Sequence, residues 1–104
     1  MARFYNITGS TGVTTELLTP GDSINIKSIL FTNVHATADA TVTLFIQDDP
    51  SSGATSTYNI ISTIAIPSDT ALFLDQPSMF TFEAKYGLYI RVGSSDTVDV
   101  MINT

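Results

Sequence analysis

The sequence predicts an all-β fold: a single antiparallel β-sandwich, jelly-roll-like, of about eight strands. Three observations carry that prediction. From Ala40 to Ile102 apolar residues fall on even numbers in run after run. The runs are Ala40, Val42, Leu44, Ile46; Tyr58, Ile60, Ile64, Ile66; Leu72, Leu74; Phe80, Phe82; Tyr86, Leu88, Ile90, Val92; and Val98, Val100, Ile102. Side chains alternate across a strand, so each run offers one apolar face to a core and one mostly polar face outward. Turn residues separate the runs at spacings of about ten residues, the rhythm of sandwiches and barrels. No segment carries a helical period. An immunoglobulin-type sandwich is the nearest rival, but the buried Trp and paired Cys of antibody domains are absent.

The elements follow in order. Arg3 to Thr8 reads as a short strand or extended arm, ended by the flexible turn Gly9-Ser10-Thr11-Gly12. Residues 1–12 are therefore an N-terminal arm or edge strand, and 13–104 the sandwich domain. A strand from Val13 to Leu18 stops at Thr19-Pro20-Gly21-Asp22, where Pro fixes φ and Gly tolerates positive φ. Ser23 to Val34 is long and of mixed phase: Ile24 and Ile26 point one way, Ile29 and Phe31 the other, which implies a bulge near Ser28 or burial on both faces. After the small-residue connection His35 to Asp39, Ala40 to Gln47 is the cleanest alternating strand. The polar loop Asp48 to Ser56 leads to strands at Thr57 to Ile66, Ala71 to Leu74, Phe80 to Glu83, Gly87 to Val92 and Thr97 to Asn103. Eight strands counted from Val13 make a jelly roll of two Greek keys.

A chain of 104 residues suits one domain, which should bury roughly two-thirds of its unfolded surface. With no Cys, packing and strand pairing must supply the stability. Ten acidic against four scattered basic residues give a net charge of −6, the wrong sign and distribution for gripping phosphates, so no direct nucleic-acid partner is expected. No long apolar run or secretory signal is visible, so no membrane partner is expected and synthesis is placed in a cytoplasm. Only 13% of residues are charged while Ser and Thr abound, a surface suited to being covered by neighbours.

Reactive constellations are missing. His35 is the one histidine; Asp39 lies four residues on, but no nucleophile elbow or second histidine accompanies it, and it reads as a solvated loop residue. The pairs Asp48/Asp49 and Asp96/Asp99 read as turn acids rather than Ca²⁺ ligands. Gly9 to Gly12 lacks the Gly-Lys-Ser/Thr and helix of a phosphate loop, and Asn6-Ile7-Thr8 is a sequon that stays unmodified without secretion. No catalytic residue, cofactor or metal site is expected.

More informative are apolar residues at odd positions, on the faces that alternation turns outward: Phe31, Phe45, Ile61, Phe73, Tyr89 and Met101. Clustered, they would mark an interface. In a jelly-roll winding Phe31, Ile61, Phe73 and Tyr89 would share the outer face of one sheet, with Phe45 and Met101 on the other. Phe4, Tyr5 and Ile7 are the apolar anchors of the arm, expected to order against a neighbour by strand addition or docking.

The segment Leu17-Leu18-Thr19-Pro20-Gly21-Asp22-Ser23-Ile24-Asn25-Ile26-Lys27-Ser28-Ile29-Leu30-Phe31-Thr32-Asn33 resembles the small virion structural proteins of tailed bacteriophages. These show a Pro-Gly turn, a strand of the form x-Ile/Val-Lys-Ser-Ile and then Thr/Ser-Asn. The similarity continues through Ala40 to Ile46, Ile64 to Thr70 and Gly87 to Val92, and spans Glu16 to Asn103. It implies a non-enzymatic virion subunit, a head decoration (cement) protein that bridges capsid subunits, or a tail-associated protein. The implied partners are copies of itself, as a homo-oligomer such as a trimer, and the major capsid protein or other virion proteins. The implied location is the virion, after synthesis in the bacterial host. The alternative is a tail or fibre-associated module that binds host-surface carbohydrate, with Tyr5, Tyr58, Tyr86 and Tyr89 available for stacking.

Overall fold

Eight strands pair as though one long hairpin had been folded in half and rolled up. The computed structural model describes residues 2–9, 14–19, 25–35, 37–48, 56–82, 85–93 and 96–104. Its strands are β1 (Ala2–Thr8), β2 (Thr15–Leu18), β3 (Ser28–Asn33), β4 (Ala40–Asp48), β5 (Thr57–Ile66), β6 (Ala71–Leu74), β7 (Tyr86–Val92) and β8 (Thr97–Asn103). First pairs with last, second with seventh, third with sixth, fourth with fifth, all antiparallel. The further pairs β3–β8 and β4–β7 join these hairpins into two four-stranded sheets, β1-β8-β3-β6 and β2-β7-β4-β5. That order is a jelly roll, two sheets closed over one core.

The even-numbered alternation becomes the core. Ala40, Val42, Leu44, Leu88, Ile90 and Val92 of the second sheet and Val98, Val100 and Ile102 of the first are buried. Registers explain which residues of the other strands join them. In β1, Tyr5 lies opposite Val100 and Ile7 opposite Val98, so the odd residues follow β8 inward. In β3, Ile29 faces Ile102 and Phe31 faces Val100, and Leu72 of β6 faces Phe31. Even numbering fails at the edge of the second sheet. The β4–β5 ladder slips between Val42 and Leu44 and again between Leu44 and Phe45, Thr63 takes a positive φ of 51°, and Tyr58 and Ile64 are left exposed.

Three expectations need correction. The eight strands begin at β1, not at residue 13, because residues 2–8 pair along all of β8 as an edge strand of the chain's own sheet. The strand expected at Phe80 to Glu83 does not form over its described residues, Phe80 to Phe82, where a single 3₁₀ turn, Pro77–Phe80, ends instead. Pro77 at its first position has the fixed φ and missing N–H that a turn accepts and a strand ladder does not, and Phe80 is buried from there. Finally Phe31 faces inward. The phase changes between Ile26 and Ile29, both buried, so Ile29, Phe31 and Asn33 point into the core and Leu30 and Thr32 outward. Val13, Ser23, Ile24, Glu83, the turn residues 10–12 and 20–22, and the loop 49–55 lie outside the described residues.

Candidate functional site

The loop after β3 is built to hold shape. Asn33 is fully buried, and its amide Nδ2 donates to the carbonyls of Ala38 and Ile66, both at 2.9 Å, while Oδ1 accepts from the His35 N–H at 2.9 Å. His35 is exposed and its Nδ1 accepts from the N–H groups of Thr37 and Ala38, at 3.2 and 3.1 Å. The ring nitrogen that Asp39 would have to orient is thus taken by loop backbone. The acids have similar tasks. Asp48 Oδ1 accepts from Ser56 N–H at 2.7 Å, closing the base of the β4–β5 loop, and Asp96 Oδ2 accepts from Thr41 N–H at 3.1 Å. Asp99 accepts from the side-chain amide of Asn6, the sequon residue, on the neighbouring strand. Asp49 lies outside the described residues, among which no three His, Cys, Asp or Glu side chains gather as a metal site.

At the same end of the sandwich β1 and β7 nearly touch. Gly9 N–H donates to the Asp96 carbonyl at 2.8 Å and Gly93 N–H to the Thr41 carbonyl at 2.8 Å. A Cβ on Gly9 would sit 2.0 Å from the Gly93 carbonyl oxygen, which only glycine avoids.

The seven expected interface residues separate. Ile7 and Phe31 are in the core, and Tyr5 turns inward and donates its hydroxyl to the Leu17 carbonyl of β2 at 2.9 Å, tying the two sheets together. Ile61 is half-buried on edge strand β5 opposite Leu44. Phe4 and Phe73 stand out from the first sheet, 68% and 52% exposed. They are the ends of one cross-strand row. Phe4 lies opposite Met101, Met101 opposite Leu30, and Leu30 opposite Phe73, so an apolar side chain from each of the four strands lines up on the outer face. The next row along, Asn6, Asp99, Thr32 and Ala71, is more polar. Met101 and Phe73 thus share a face that the sequence argument divided between two.

The outer face of the second sheet is different in kind. There a row runs Glu16, Tyr89, Phe45, Asn59 across β2, β7, β4 and β5. The rings of Phe45 and Tyr89 stack at 5.8 Å and 21°, and the Arg91 guanidinium lies 5.4 Å from the Phe45 centroid. Both rings are buried by this outer layer, not by the core. Above them is an open cleft of about 460 Å³. Its polar groups are braced. Glu16 Oε1 accepts from Thr19 Oγ1 at 2.9 Å and Oε2 from the Tyr89 hydroxyl at 3.5 Å. Gln47 Nε2 donates to Thr57 Oγ1 at 3.0 Å, and Arg91 Nη2 to Thr14 Oγ1 at 3.4 Å. Gln47 lies opposite Gly87, which has no side chain to fill the space between.

Of the tyrosines considered for stacking, only Tyr89 belongs to this cleft. Tyr58 and Tyr86 meet edge-on at 6.0 Å at the hairpin end of the sheet, with Lys85 Nζ 5.3 Å from the Tyr86 centroid. Glu16, Gln47, Asn59 and Arg91 were not singled out from the sequence. The signal available was the odd-numbered spacing Tyr89, Arg91 and Phe45, Gln47, which puts each pair on one face of its strand. Comparison with protein-family models, curated proteins and solved structures found no match to this chain.

Proposed function

We propose that this chain is a non-enzymatic structural subunit of a tailed-phage particle, a head decoration protein that packs against copies of itself and against the capsid shell. The observation that carries the reading is the apolar row Phe4, Met101, Leu30, Phe73, which crosses every strand of the first sheet on its outer face. A contiguous apolar strip on a soluble domain marks a surface that a partner covers. The sparse charge of the chain agrees with such cover, and its acidity suits the outside of a shell better than contact with packaged DNA. Modest contacts repeated over a symmetric shell stabilise it collectively.

The test is mass spectrometry of density-purified particles of the phage that encodes the chain, with heat challenge of particles made without it. A copy number comparable to that of the major capsid protein, and shells that release DNA at a lower temperature in its absence, are expected. Absence of the chain from purified particles refutes the proposal.

A further inference from the structure

The cleft on the second sheet lies on the side of the sandwich away from the apolar row, so a subunit docked through the first sheet leaves it open. We infer that this cleft is a binding site for a neutral oligosaccharide, with Arg91, Glu16, Gln47 and Asn59 as its hydrogen-bonding groups. This inference is independent of the assembly proposal.

Size comes first. The cleft volume of about 460 Å³ is within the range of small-ligand sites, roughly 300–1,000 Å³, with room for a short run of sugar rings. Its shape is open, and it is lined from all four strands of the sheet, which suits a segment of a chain rather than an enclosed small molecule. The groups around it are a guanidinium, a carboxylate and two carboxamides. Each is planar with paired donors or acceptors, the geometry that meets two adjacent hydroxyls at once. Several are already fixed by neighbours, Glu16 by Thr19 and Tyr89, Gln47 by Thr57, Arg91 by Phe45 and Thr14, so little side-chain freedom remains to be lost on binding. The stacked Phe45 and Tyr89 rings, buried beneath these polar groups, give the cleft a packed base.

Charge decides the ligand's class. Among the described residues, Arg91 and Glu16 are the only charged ones lining the cleft and they balance, so the site offers a polyanion no net attraction, in a protein whose net charge is −6. A sulfated or phosphorylated polymer would meet that field and one fixed carboxylate. A neutral polyhydroxylated chain meets donors and acceptors of both kinds.

The test uses the isolated full-length protein, biotinylated and tetramerised on streptavidin so that weak sites register through avidity, on an array of neutral, sialylated and sulfated glycans. Binding to a subset of neutral glycans is expected. In titrations with the best of them, Asn59→Ala and Gln47→Ala should each weaken binding about threefold to tenfold, the loss of one or two hydrogen bonds. Arg91→Met, which keeps an apolar stem over Phe45, should do at least as much. Melting temperatures check that these variants remain folded. No binding to any neutral glycan, binding confined to sulfated or sialylated glycans, or neutral-glycan binding unchanged in all three variants overturns the inference. None of these results bears on whether the chain is found in particles.

Discussion

Replacing Asn33 by Ala should destabilise the domain by about 2–5 kcal/mol, out of proportion to the atoms removed. Asn33 is fully buried, and its amide serves three backbone groups: the carbonyls of Ile66 and Ala38 and the N–H of His35. The bond to Ile66 is buried, and losing a partner there costs roughly 1–3 kcal/mol of desolvation. The other two bonds are part-buried, so water can replace the amide at a smaller cost, about 0.5–1 kcal/mol each. Urea unfolding followed by circular dichroism measures this directly, and in a domain of this size the melting temperature should fall by about 10–25 °C. Asn33→Asp sharpens the test, because it points a carboxylate at two carbonyl oxygens. Burial beside acceptors raises the folded-state pKa of the new group above its unfolded value of about 3.9. A raised folded pKa gives stability that is present below the unfolded pKa and is lost as pH rises through the folded one. The Asp variant should therefore be less stable than the Ala variant at pH 7 and recover against it as pH falls through the raised folded-state pKa, with the recovery complete below about pH 4. An Ala variant within about 0.5 kcal/mol of the parent, or an Asp variant whose deficit ignores pH, would refute the reasoning.

Leu44→Ala and Ile90→Ala, both at zero exposure where the sheets meet, should each cost about 2–5 kcal/mol by denaturant unfolding. Gly9→Ala should lower the melting temperature markedly, since its methyl would collide with the Gly93 carbonyl and part the corner that Asp96 closes; an unchanged melting curve would show that the corner has slack. Phe4→Ser and Phe73→Ser together should leave the unfolding free energy within about 1 kcal/mol of the parent while reducing self-association in sedimentation velocity, because both side chains lie largely outside the core.

What the sequence made legible follows the physics of each element. Thr57 to Ile66, Ala71 to Leu74 and Thr97 to Asn103 are strands with the bounds read from alternation and turn residues. Of the even-numbered set from Ala40 to Ile102, the buried members of β4, β7 and β8 were legible for the same reason, the period of two intrinsic to a strand, whereas Tyr58 and Ile64 of edge strand β5 are exposed. Phe31 was not, because facing is set by register with β8 and β6, and the phase change between Ile26 and Ile29 shows that facing switches without showing which half is inside. Phe80 alternates like a strand residue but sits in a turn begun by Pro77, where local backbone chemistry outweighs pattern. Both outer-face features were invisible for a deeper reason. The rows Phe4-Met101-Leu30-Phe73 and Glu16-Tyr89-Phe45-Asn59 draw one residue from each of four strands, and only the winding brings them into line.

The nested pairing also sets when this protein can fold. Ala2 finds its partner in Asn103, and among the described residues the innermost pair, β4 with β5, is the only one whose strands are neighbours in the chain. During synthesis β1 leaves the ribosome almost a whole chain ahead of β8, and β3 must wait for both β6 and β8. No half of the molecule has a sheet of its own to complete. Contacts this distant in sequence make for slow folding, with the central hairpin as the local starting point and the terminal pair closing last. Until β8 has emerged, the nascent chain presents unpaired strand edges, so its yield should depend on temperature and chaperone supply more than its finished stability would suggest.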